Sequence, residues 1–135
     1  MFPKMSMKRF VPTTLRDLEV YGRRVVYDVS ESAAFGKVGY FDPINEVFEI
    51  SDNTDDSTLP ATIMFISNSG EIIQSGWIRN DSWTFNPGKL WVGTNGNLVD
   101  VKPSNGAFAQ LAGFAIMSHL VYYDPSFYIE YTEGA

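Results

Sequence analysis

A single histidine and no cysteine limit the chemistry open to this 135-residue chain. A Ser-His-Asp arrangement would need His119 as its base, yet no G-x-S-x-G elbow accompanies it. Its neighbours Ser118 and Leu120 mark it instead as a turn residue between two strands. A zinc site fails on ligand count, because one His and no Cys leave only carboxylates. The acidic stretch holding Asp52, Asp55 and Asp56 invites calcium, but the EF-hand loop wants acids at alternate positions and a glycine at the sixth. A solvated loop is the expectation there. Carboxylates are plentiful enough for a glycosidase pair, but no feature of the sequence selects one. Gly93 and Gly96 form no phosphate loop, and Gly88-Lys89 runs into Leu90 rather than a hydroxyl residue. The chain is therefore expected to be no enzyme and to carry no cofactor and no metal.

Two features point to binding. Trp77, Trp83 and Trp91, with Phe85, suit either a sugar-stacking groove or a core or subunit interface, since aromatic rings bury much area in both settings. Trp77 and Trp91 fall in predicted strands, which favours burial. Trp83 falls in a polar loop and is the best candidate for a surface anchor. The second feature is charge asymmetry. Lys4, Lys8, Arg9, Arg16, Arg23 and Arg24 stand against only Asp17 and Glu19 in residues 1–24, whereas the remainder holds four cations and fourteen acids. Six scattered cations on an acidic body suit an acidic protein surface better than nucleic acid. These six cations and Trp83 are the candidate partner-binding residues.

The elements that must position them read as strands. Residues 1–24 are broken by Pro3 and Pro12 and predict an extended basic N-terminal arm, with a short turn over residues 14–19, ahead of a β-rich domain over 25–135. Val25–Val29, Lys37–Phe41 and Glu46–Ile50 are β-branched and aromatic, the last two flanking an Asp42-Pro43-Ile44-Asn45 turn. Thr62–Ile66 reads as a strand buried on both faces, followed by an Asn68-Ser69-Gly70 turn and a strand over 71–78. Lys89–Val92 and Leu98–Val101 enclose Asn95-Gly96, the strongest short hairpin signal available. Residues 110–117 favour strand over helix because Gly113 interrupts the helical spacing, and Phe127–Tyr131 ends the series. Such close spacing predicts an all-β fold, a compact β-sandwich or small β-barrel. No apolar run is long enough for a membrane helix, and no apolar segment follows the charged start, so neither a membrane partner nor a secretory signal is expected.

Four stretches carry a family resemblance: Ser57-Thr58-Leu59-Pro60-Ala61, residues 76–83 (GWIRNDSW), residues 86–92 (NPGKLWV) and residues 121–130 (VYYDPSFYIE). Together with a glycine turn at 94–97, a proline-containing loop at 101–105 and Ala112-Gly113-Phe114-Ala115, the chain from about Gly36 to Glu130 resembles the capsid cement or head-decoration proteins of tailed phages. Similar modules occur in phage head or tail fibres that bind a host glycan or protein. The resemblance implies a β-rich homotrimer made in the host cytoplasm. It would sit on the outer surface of the virion and clamp neighbouring copies of the major capsid protein. It assigns no binding residue, and residues 1–24 lie outside it.

Overall fold

The structure is a computed structural model that describes residues 12–133, and it is all-β. Its strands are β1 (Val20–Val26), β2 (Val38–Asp42), β3 (Val47–Ile50), β4 (Ile63–Phe65), β5 (Glu71–Arg79), β6 (Gly88–Val92), β7 (Leu98–Val99), β8 (Phe108–Ala109), β9 (Leu111–Met117), β10 (Leu120–Tyr123) and β11 (Glu130–Tyr131). Turn chemistry sets the hairpins. Between β2 and β3 the Asp42 carboxylate accepts from the Ile44 N–H at 2.9 Å and the Asn45 side-chain amide at 2.8 Å, an Asx turn. Between β6 and β7, Asn95 and Gly96 both take positive φ (54° and 72°), and the Asn97 N–H closes on the Thr94 carbonyl at 3.1 Å, as the Asn-Gly pair predicts. The strand expected over residues 110–117 is found as β9 from Leu111 to Met117, and Ser118-His119 is the turn that joins it to β10.

β5 is the branch point of the sheet. β1 pairs with it from Ile78 down to Glu71 and so covers one whole edge. The other edge is shared, with β4 opposite Ile72 and Ile73 and β10 opposite Gly76 through Arg79. Two half-sheets therefore spring from one edge, β4-β2-β3 and β10-β9-β6-β7. They diverge at Gln74 and Ser75, an added residue relative to β1 that bends and twists the strand. The halves meet again at their far ends. The Gly96 N–H donates to Ser51 O at 2.7 Å, the Asn53 N–H to Gly93 O at 3.1 Å, and the Lys37 ammonium to Asn95 O at 2.8 Å. The result is a strongly curled, barrel-like sheet.

Inside the curl lies the main core, built from Val38, Met64, Ile73, Ile78, Leu90, Val92, Val121 and Tyr123. A smaller cluster of Ala33, Ile63, Phe65 and Ile72 sits on the opposite side of β4 and β5. The Tyr123 hydroxyl, wholly buried, donates to the Ile63 carbonyl at 3.0 Å. Burial, aided by the Asp124 charge, pushes this phenol well above its ordinary value of 10.0. A raised folded-state pKa stabilises the fold fully below about pH 10 and loses that contribution as the unfolded phenol ionises above it. Tyr123→Phe should cost about 1 kcal/mol near neutrality through the orphaned Ile63 carbonyl. Its urea midpoint should then fall less steeply than the wild type's between about pH 9 and 11. Parallel pH curves would contradict this account of Tyr123.

Two expectations are corrected. The arm expected over residues 1–24 does not stand apart from the body in its described part, residues 12–24, because Val20–Val26 is a full strand of the sheet and the turn before it is docked; residues 1–11 lie outside the described residues. Leu15 is buried, its carbonyl accepts from the Arg79 guanidinium at 2.6 Å, and the Asp17 carboxylate accepts from the Asp81 N–H at 2.7 Å. Backbone pairing to β5 holds this segment without any alternating apolar pattern. The expected last strand over 127–131 shrinks to Glu130–Tyr131, paired with β8 in a separate two-stranded sheet.

Candidate functional site

On the outer side of the curl, one residue from each of five neighbouring strands falls into a single row. Tyr21 in β1 pairs with Trp77 in β5, Trp77 with Tyr122 in β10, Tyr122 with Phe114 in β9, and Phe114 with Lys89 in β6. Residues directly opposite on adjacent strands share a face, so these side chains form a cross-strand ladder. Ring centroids lie 4.8 Å apart for Trp77–Tyr122, 5.6 Å for Phe114–Tyr122 and 6.0 Å for Trp77–Phe114. The alternation that sends Ile78, Val121 and Ala115 into the core sends Trp77, Tyr122 and Phe114 out. Tyr21 is 55% exposed and Phe114 40%, and Ile116 and Met117 add exposed apolar surface beside them. On the other half of β5 the same side is closed over by the smaller cluster around Ile72 and Phe65. Here it is open.

β1 borders this face. Among the described residues it pairs only with β5, which leaves its second edge without a strand partner, and Tyr21 through Val26 are exposed. Tyr, Trp, Met and Arg on one patch is the composition of a protein interface rather than of ordinary surface.

The sequence-expected binding residues divide accordingly. Arg23 and Arg24 stand exposed on β1, and alternation puts Arg23 on the face of Tyr21. Arg24 turns back to donate to the Val20 carbonyl at 3.2 Å. Arg16 is exposed in the docked turn before β1. Lys4, Lys8 and Arg9 lie outside the described residues. Trp83 is not the exposed anchor its polar loop suggested: it is half-buried, packs against the main core beside Phe85 at 5.4 Å, and its ring lies over Gly36. A Cβ on Gly36 would stand 2.7 Å from that ring, so the contact depends on glycine. Trp77 was expected to be buried because it lies in a strand. It is half-buried, with its face turned to the open row.

His119 sits in the β9–β10 turn with the Ser118 hydroxyl 3.3 Å from Nδ1, and the nearby Asp81 carboxylate is taken by Arg79 at 2.7 Å and 3.2 Å. Asp52 accepts from the Thr54 N–H and hydroxyl and from the Asn95 N–H, bonds that hold its carboxyl below the ordinary range. Asp55 likewise caps the following turn through Ser57. These acids secure their own loop and tie β3 to the β6–β7 turn. Among the described residues no group of three or more His, Cys, Asp or Glu is placed to hold a metal ion, and no helix is long and apolar enough to cross a membrane.

No family model, no curated protein and no solved structure matches this chain.

Proposed function

We propose that this protein is a structural binding module of the capsid cement or decoration type, a homotrimer that docks on the outer lattice of a tailed-phage capsid and does no catalysis. The step to a capsid rests on the sequence resemblance. The observation that carries the wider reading is the open aromatic row beside β1, whose second edge has no strand partner among the described residues. The action is mass action: a protein that binds the assembled lattice and not its loose subunits lowers the free energy of the assembled form. Three linked copies multiply weak contacts through effective concentration. Tyr21, Trp77, Tyr122 and Phe114 supply apolar area, while Arg23 and Lys89 at the margins of the row favour an acidic lattice surface and speed the encounter.

Phe114→Ser and Tyr21→Ser replace exposed rings and should leave the fold intact. Each should weaken co-sedimentation with expanded capsids of the parent phage by about 10- to 100-fold, the usual range for an aromatic anchor. Arg23→Glu should reduce the association rate and its dependence on salt. Unchanged binding in all three variants would contradict the proposal.

A further inference from the structure

The branching of β5 leaves a notch in its shared edge. β4 leaves after Ile73 and β10 arrives at Gly76, so Gln74 and Ser75 stand outside every strand pair. Over this notch opens a groove of about 420 Å³, within the usual range for small-molecule sites. Phe41 and Phe48 from the β2–β3 hairpin form one wall and Phe127, 64% exposed, forms the other. Phe41 and Phe48 are held edge-on at 5.2 Å and are braced by Tyr27 at 5.5 Å from each, so that wall is rigid.

Polar groups line the groove between these walls. The side chains of Thr62, Gln74, Ser75 and Asp124 make no hydrogen bond or ion pair with any described residue. Elsewhere polar side chains in loops are used up on their own backbone, as at Asp42, Asp52 and Asp55. Here a hydroxyl pair, an amide and a carboxylate converge unused between aromatic faces. A β-bulge is a common device for aiming side chains at a site, and this one supplies Gln74 and Ser75.

We infer that this groove, formed where the two half-sheets part and lined by Phe41, Phe48 and Phe127 with Thr62, Gln74, Ser75 and Asp124, is a binding site for a neutral saccharide. The C–H faces of a pyranose ring stack on Phe127 and Phe41. Its hydroxyls exchange hydrogen bonds with the amide and the two hydroxyl side chains, and vicinal hydroxyls donate together to the Asp124 carboxylate. Among the described residues no cation lines the groove and the one charge there, Asp124, is negative, which disfavours phosphate, nucleic acid and acidic sugars. The site is separate from the aromatic row and does not depend on the capsid reading.

The test is amide chemical-shift mapping of the full chain against neutral oligosaccharides of glucose, galactose, mannose, rhamnose and N-acetylglucosamine, with sialyllactose as the acidic comparison. At least one neutral member should give saturable shifts at Phe41, Thr62, Gln74 and Ser75. Phe127→Ala and Asp124→Asn, both at exposed positions, should each weaken it by at least about tenfold without lowering the thermal midpoint. Failure of every neutral member to shift those amides would overturn the inference. So would binding indifferent to both substitutions, a preference for sialyllactose, or the same shifts appearing with protein concentration alone, which would make a second copy the occupant.

Discussion

Gly76→Val should destabilise the protein by about 3–5 kcal/mol, a third or more of the stability of a typical domain of this size. At an ordinary strand position the same change would stabilise, because valine is a better strand former than glycine. Here Gly76 has φ +151°, and a Cβ would stand 2.5 Å from the Tyr21 carbonyl oxygen and 2.7 Å from the Gly22 Cα. The crowding is mutual, since a Cβ on Gly22 would meet the Ser75 carbonyl oxygen at 2.3 Å. Two glycines thus let β1 cross β5 at its bend closer than any side chain permits. The obstacle is backbone, which cannot rotate away as a side chain could. A drop in urea midpoint should accompany loss of hydrogen-exchange protection along residues 20–26. A neutral or stabilising outcome would mean that β1 is not seated as described.

Gln110→Leu should cost about 3–5 kcal/mol although it exchanges a buried polar side chain for an apolar one of similar size. Gln110 is fully buried, accepts from the Ala61 N–H at 2.8 Å, and donates to the carbonyls of Ala61 and Ser126, each at 2.8 Å. Leucine strands all three backbone groups, and each loses about 1–3 kcal/mol of solvation that is not replaced, against which the added apolar burial offsets only part. Gln110→Glu sharpens the test. A carboxylate facing two carbonyls is repelled, so that variant should regain stability as pH falls and the acid becomes protonated. Because Gln110 also fixes Ser126, one residue before Phe127, both variants should weaken any ligand held in the β5 groove. Stability within about 0.5 kcal/mol of wild type for Gln110→Leu would show that these bonds are replaceable.

Much of the fold was legible because local chemistry and global pairing agree. Asp42 and the Asn95-Gly96 pair carry their turns in their own side chains and backbone preferences, and Ile63–Phe65 needs both faces buried, as its unbroken apolar run indicates. β1 was legible only at its end. Gly22, Arg23 and Arg24 lie at its centre and carry no alternating pattern, because what holds it is backbone pairing along β5 and a glycine-to-glycine contact. Reading a basic arm there was sound for charge and wrong for structure. The binding surfaces were less visible still. Trp83 lay in a loop and turned inward, while Trp77 lay in a strand and faced the open row, a choice made by register and not by composition. The groove gathers Phe41, Thr62, Gln74 and Phe127 from separate stretches of chain, and its existence follows from how β4 and β10 divide one edge of β5.

The most direct test of the assembly reading is cryo-electron microscopy of expanded capsids of the parent phage incubated with saturating purified protein. The expected result is trimeric density on the outer lattice, with β1 and the Tyr21–Trp77–Tyr122–Phe114 row at the contacts. Bare capsids at saturation, or density attached through the opposite side of the curl with that row facing solvent, would contradict it.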